Sequence, residues 1–326
     1  MQTRLTAVAL LTMCAMAPSL AFAQRFPFER TFQIAGPAKL DVSTVRGRIE
    51  ISTGPPDRIV VEGVATVRTA WDAPSNAVEL ARQVAANPPL EQAGDTLRLA
   101  IPTDGATRRA VTVSYHVRVP PATEVRASSE SGETSVRGIT APVNVRTQSG
   151  AIDLRELAGL VSVSSESGAV SAADITGALS VTTSSSSITG SGLGSSLKVR
   201  TQSGAVQADL TGSGDVEVET GSSEIRLRGV RGGLVAKTQS GRVTVQGAPG
   251  RAWAATTGSS SVNLDVEIGV GFSVDAVSRS GSVVVEGGEI QGSVTKGAVK
   301  GTINGGGVPV RVSSGSGSIR IQLGTR

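Results

Sequence analysis

The chain has 326 residues, 39% hydrophobic and 2% aromatic, and its 31 basic side chains nearly cancel 27 acidic ones to leave a net charge of +4. With no basic block and few rings to stack on bases, nucleic acid is not an expected partner. A single cysteine and a single histidine allow no disulfide, no thiolate metal site and no histidine pair around a metal.

Taken in chain order, residues 1–23, MQTRLTAVALLTMCAMAPSLAFA, read as a secretory signal peptide. Arg4 opens it, an apolar run follows, and Ala21-Phe22-Ala23 is the cleavage site. The run is too short for a membrane anchor. No later stretch reads as a transmembrane segment. Met13 before Cys14 is a poor context for lipid attachment. Cleavage after Ala23 removes Cys14 and Arg4, so the mature chain carries no cysteine and a net charge of +3. An exported protein is expected, periplasmic or extracellular at the cell surface.

Residues 24–123 form an N-terminal β-rich section. Leu40 to Thr53, LDVSTVRGRIEIST, resembles one turn of the repeat described below, with Gly47 at its corner. RIVVEGVATVRT then predicts a longer strand. A helix is expected at about 75–87, capped by Ser75, with Val78, Leu80, Val84 and Ala81 or Ala85 as its apolar stripe. Asn87-Pro88-Pro89 ends it. DTLRLAIP and AVTVSYHVRVP supply two further strands. This section is expected to cap an open sheet edge that would otherwise invite aggregation.

Residues 124–326 repeat. VRTQSGAI (Val145 to Ile152), VRTQSGAV (Val199 to Val206) and AKTQSGRV (Ala236 to Val243) are nearly one segment. Aligned on the Gly of TQSG, the anchors are Gly132, Gly150, Gly168, Ser186, Gly204, Ser223, Gly241, Ser260, Gly281, Gly301 and Gly317. The first four spacings are 18 and the later ones run from 16 to 21. Seven and five residues before the anchor stand pairs such as Val143 and Val145, or Leu197 and Val199. Two residues after it stand Ile152, Val170, Ile188 and Val206. Apolar β-branched residues spaced by two mean strands with one face inward. The unit is therefore strand, Ser-Gly corner, strand, Gly-containing turn. Glycine at the corner is expected to supply a positive φ. Such a unit has no room for a helix and cannot bury its own apolar side, so the units must stack. The expected fold is all-β: a right-handed parallel β-solenoid of the single-stranded β-helix type, about eleven turns long. At the strand spacing of about 4.8 Å its rod measures on the order of 50 Å.

LDVSTVRGRIEIST, the helix between strands, VSYHVRVPPATEV and the TQSG-type turns together resemble the bacterial putative-adhesin β-strand-repeat family, over roughly residues 40–320. The resemblance implies an exported β-solenoid and supplies no catalytic residues.

The residues themselves offer no catalytic, cofactor-binding or metal-ligating set. His116 alternates with Val113, Tyr115, Val117 and Val119, so it shares a solvent face with Thr112, Ser114 and Arg118. No Gly-x-Ser-x-Gly accompanies the many serines of the repeats, and the one histidine lies in another region, so no triad is expected. The outward acids Asp153, Glu166, Asp174, Asp209, Glu217, Glu219 and Glu224 are scattered over several turns; only Glu217 and Glu219, with Glu224 across the corner, face one way. GSGDVEVE (Gly212 to Glu219) is a lone copy of a calcium-type Gly-Asp repeat, and GSGLGSS (Gly190 to Ser196) lacks the Gly-Lys-Ser/Thr of a phosphate loop. A Thr/Ser column at Thr147, Ser165, Thr183, Thr201, Thr220, Thr238 and Thr257 has the parity of the valines. It is expected as a buried hydroxyl ladder, which argues against ice binding.

The expected role is a non-enzymatic, adhesin-like interaction or cell-envelope scaffold, whose partners are envelope proteins or glycans. The surface to inspect first is Arg146, Arg200, Lys237, Gln148, Gln202 and Gln239. A β-helix-type polysaccharide-acting enzyme using Glu217 and Glu219, or an envelope-stress accessory protein, are the alternatives.

Overall fold

The computed structural model describes residues 24–68 and 74–325. The signal-peptide reading and Cys14 lie outside the described residues. In the repeat that starts at Leu197, strand Leu197–Thr201 turns Leu197, Val199 and Thr201 inward and Lys198 and Arg200 outward. A corner, Gln202 to Ala205, leads into strand Val206–Leu210, whose Val206, Ala208 and Leu210 again face inward. Each repeat is thus one two-stranded rung. Successive rungs pair in parallel and in register: Val143, Val161, Leu179, Leu197, Val216, Leu234 and Trp253 form one column. The first strands of the rungs build a 15-stranded sheet and the second strands a 14-stranded sheet, and the columns between them are the core. The protein is a parallel β-solenoid. Fully burying a valine contributes about 1.5–3 kcal/mol, and a rung gains that only when its neighbours cover it. Within the valine column, Trp253 fits because its indole N–H donates to the Gly232 carbonyl at 2.9 Å.

The Thr/Ser column is buried, as its parity requires. Each hydroxyl works locally. The N–H of Gly168 donates to Ser165 Oγ at 2.9 Å, and that hydroxyl donates to the Gly168 carbonyl at 3.1 Å. Other rungs also reach sideways: Thr257 Oγ1 donates to the carbonyl of Gly241 on the rung before, at 2.9 Å.

The corner glycines differ from expectation. Gly150, Gly168, Gly204 and Gly241 do not have positive φ. Glycine is needed there because the rungs stack closely: a Cβ on Gly150 would lie 1.9 Å from the carbonyl oxygen of Gly132, and one on Gly168 would lie 1.8 Å from that of Gly150. The left-handed residues occupy the opposite corner. Gly138, Glu156, Asp174 and Gly192, 18 residues apart, have φ of 75°, 56°, 56° and 64°.

Both ends depart from simple winding. At the C-terminal end the rung of strands Val308–Ser314 and Ile319–Thr325 inserts between the rung 253–267 and the rung 272–286. Gly317 therefore stacks on Ser260, and Gly281 stacks on Gly317. Gly301 makes no corner. It lies in strand Ala298–Ile303, which runs antiparallel to Phe272–Ser278 and to Ile290–Val294. At the N-terminal end the rung 39–53 inserts in the same way, between Thr96–Leu99 with Val111–Val119 on one side and Glu124–Ser129 with Thr134–Arg137 on the other. Residues 40–53 are thus a true rung, with Gly47 at its corner stacked under Gly132.

Beyond that rung, strand Arg58–Val67 pairs antiparallel with Val111–Val119 and with the edge strand Arg25–Gln33. Phe28 sits over Gly63, where any Cβ would strike its ring, and meets Tyr115 edge-on with ring centres 6.2 Å apart. The expected helix, α1, spans Ala77–Ala86 and packs on these edge strands. Asn76, not Ser75, occupies its N-cap position, and makes no side-chain capping bond. Its buried stripe is Ala77, Ala81 and Val84, with Val78, Leu80 and Ala85 half-buried. A second short helix, α2, Gly105–Ala110, is capped by Asp104, whose side chain accepts the Thr107 N–H. Thr107 holds the Asp104 carboxyl below its usual range. No helix among the described residues is long and apolar enough to cross a membrane.

Candidate functional site

Strand alternation places every second residue of the first-strand sheet on its outer face, one above the next along the rod. Two outer columns carry opposite charges on successive rungs. In one, Arg200, Glu219 and Lys237 follow each other; in the other, Lys198, Glu217 and Val235. Glu217 accepts from Lys198 at 2.8 Å and from Arg200 at 2.9 Å. Glu219 meets Arg200 at 3.3 Å and Lys237 at 3.4 Å. The ladder links charges on three rungs into one network, where an isolated exposed pair contributes only about 0.2–1 kcal/mol.

This ladder is one wall of an open trough of about 920 Å³ that runs along the rod from Ser164 to Gln239. The remaining lining is polar, with Thr182, Ser184, Gln202, Ser203 and Gln239, and includes Glu166, which has no ion pair among the described residues. A second open trough, about 500 Å³, adjoins it beside Lys198, Asp215, Glu217, Val235 and Arg251. Arg251 is fixed there by Asp215 at 3.0 Å and by the Ser213 carbonyl at 2.8 Å. Of the surface singled out from the sequence, Arg200, Lys237, Gln202 and Gln239 come together in the trough. Arg146 continues the Arg200 column one rung beyond Ser164 and is exposed, as is Gln148 beside it.

The chemistry available is recognition of an extended polar chain by donors and acceptors repeating at about the 4.8 Å rung spacing. Glu217 is poorly suited to acid catalysis. The hydrogen bond from Lys198, followed by the charges of Lys198 and Arg200, holds its carboxyl below the usual glutamate range. A glycosidase acid needs the opposite shift.

On the second-strand sheet, near the N-terminal end, the structure assembles what sequence spacing did not reveal. His116 Nε2 lies 3.3 Å from Ser52 Oγ and Nδ1 lies 3.4 Å from Glu62 Oε2; Arg118 binds the other Glu62 oxygen. The residues come from three neighbouring strands, with Ser52 and Glu62 standing 64 and 54 positions before His116. The connectivity is that of a Ser-His-Glu relay. It lies on the flat outer face of a sheet, where backbone N–H groups are spent on the strand ladder and none can form an oxyanion hole. The cluster is a polar bridge across three strands, and His116 is half-buried by these contacts rather than free in solvent.

Residues 143–322 match the family described as Toastrack DUF4097. The chain belongs to that family. The matched segment contains every rung of the trough and its ionic ladder. Two solved structures also resemble the chain. One is a putative cell adhesion protein from Clostridium sporogenes ATCC 15579, at 11% identity, covering 91% of this chain and 99% of that one with a TM-score of 0.25. The other is a putative adhesin from Bacteroides fragilis NCTC 9343, at 15% identity, covering 91% and 96% with a TM-score of 0.30. No curated protein matches the chain.

Proposed function

We propose that this protein is exported and acts as an adhesin-like interaction scaffold of the cell envelope, with the repeats binding a partner rather than catalysing a reaction. The observation that carries the reading is the trough of the first-strand sheet, where Arg200, Glu219 and Lys237 stand on successive rungs beside Gln202 and Gln239. A fixed rigid column of polar groups suits a partner that is itself extended, a polypeptide segment or a glycan chain lying along the rod. Glu219 in the trough and Glu217 beside it are tied in ion pairs, which at these two carboxylates supports binding over acid–base chemistry. The apolar run and Ala21-Phe22-Ala23 support export.

Two measurements test this. Fractionation of cells producing the full chain should place the mature protein, beginning at Gln24, outside the cytoplasm. Purified residues 24–326 should bind isolated cell envelopes saturably and leave acidic and neutral polysaccharides uncut. Cytoplasmic retention, absence of envelope binding, or polysaccharide turnover lost in Glu217→Gln would each overturn the proposal.

A further inference from the structure

The corner at Gly47 meets another Ser-Gly corner on one side only. There Gly132 stacks on it, and a Cβ on Gly132 would lie 1.9 Å from the Gly47 carbonyl oxygen. On the other side, strands Thr96–Leu99 and Val111–Val119 are joined by residues 100–110, which include α2. This passage takes the place of a Ser-Gly turn. It leaves a crevice of about 20 Å³ between residues 43–46, residues 100–102 and the start of strand Val111–Val119. That is room for one species about the size of a water molecule.

The crevice combines apolar walls with unused donors. Val45, Ile101, Pro102 and Val111 are among its apolar lining. Tyr115 lines it from the inner face of its strand. The residue is 2% exposed, and its hydroxyl has no hydrogen-bond partner among the described residues. A buried hydroxyl without a partner is costly, so the group points to a ligand. Burial holds the phenol above its usual range, so it stays protonated and donates at any ordinary pH. Arg46 on the corner and Arg108 on α2 line the same crevice, which has no acid in its lining. Among the described residues neither guanidinium has a hydrogen-bond or ion-pair partner. The nearby charges are committed elsewhere: Arg48 pairs with Glu133 at 2.8 Å, and Asp104 accepts from the N–H and the hydroxyl of Thr107.

We propose that this crevice binds one monovalent anion of halide size, which accepts from the Tyr115 hydroxyl and is neutralised by Arg46 and Arg108. A water molecule would satisfy Tyr115 alone. An anion also uses the two guanidiniums, which are weakly hydrated and form the stronger, charge-assisted contacts. Because one arginine comes from the corner and the other from α2, the anion ties the passage 100–110 onto the rung.

Thermal unfolding of residues 24–326 in sodium chloride and in sodium gluconate of equal ionic strength tests this, since gluconate is too large for the crevice. Chloride is expected to raise the melting temperature saturably, by about 2–4 °C over gluconate. Tyr115→Phe, which keeps the ring against Phe28, is expected to abolish that rise, and so is the double variant Arg46→Gln, Arg108→Gln. Circular dichroism in gluconate shows whether each variant is folded. Should Tyr115→Phe not fold, the arginine variant, changed only at exposed side chains, decides alone. Equal melting of the parent protein in the two salts overturns the proposal, and is the result if the crevice holds a water molecule. A chloride rise that does not saturate, or that persists undiminished in a folded variant, overturns it as well.

Discussion

The N–H of Gly150 donates to Thr147 Oγ1 at 2.9 Å, and the pair Thr201 and Gly204 repeats the bond at 3.0 Å three rungs later. The hydroxyl closes the corner and satisfies a backbone donor that stacking has removed from water. Thr201→Val keeps the shape and removes the acceptor, so it is expected to cost about 1–3 kcal/mol by leaving the Gly204 N–H unpaired. Thr201→Ser retains the bond and is expected to cost less. Urea unfolding of the three proteins measures the difference.

Gly204 and Ser186 occupy equivalent corners and respond in opposite directions. A Cβ on Gly204 would stand 1.7 Å from the Ser186 carbonyl oxygen, so Gly204→Ala forces the rungs apart and is expected to destabilise by about 2–4 kcal/mol. At Ser186 the side chain is already accommodated, but its buried hydroxyl has no partner. Ser186→Ala is expected to stabilise by about 1 kcal/mol. Thermal unfolding of the two variants beside the parent protein checks both signs.

Glu156 holds φ 56° on the corner where the rung before it uses Gly138 and the second rung after it uses Gly192. The left-handed conformation costs an ordinary L-residue about 1–2 kcal/mol. Glu156→Gly is expected to raise stability by about 0.5–1 kcal/mol, after its exposed contact with Arg137 is lost. Glu156→Ala loses the same contact and keeps the strain, so its melting temperature should not rise.

Two acids give opposite pH signs. The folded-state pKa of Glu217 is depressed by the hydrogen bond from Lys198 and then by the charges around it. Its contribution is present above the ordinary glutamate range and is lost as the pH falls through the depressed value. Burial raises the pKa of Asp265, so that carboxyl opposes folding once the pH rises past its ordinary range. Melting curves from pH 3 to 7, about the span of ordinary and shifted carboxyls, should show Glu217→Gln less acid-sensitive than the parent. Asp265→Asn should gain stability near neutral pH and little at the acid end.

Much of this was legible in the sequence because parallel stacking imposes one parity on every rung. Val199 and Thr201 had to face the core and Arg200 and Gln202 the solvent, and they do. The reason for Gly204 was not legible, since a close approach to the Ser186 carbonyl arises only when rungs stack, while positive φ is the usual local use of glycine. The ends were obscured because Gly301 falls at a repeat-like spacing although its strand is antiparallel, and chain order does not reveal that Gly317 lies between Ser260 and Gly281. The trough was half visible: Arg200 and Lys237 stood out, but the role of Glu219 depends on the rung between them. Ser52, Glu62 and His116 met only through the three-strand pairing at the N-terminal end.

The central claim is that the trough binds the partner. Its direct test is the affinity of purified residues 24–326 for isolated cell envelopes, compared with the Arg200→Ala, Lys237→Ala double variant and with His116→Gln on the opposite sheet. The account predicts at least about a tenfold loss for the double variant, at an unchanged melting temperature, and no loss for His116→Gln. Equal envelope binding by the parent and the double variant would contradict it.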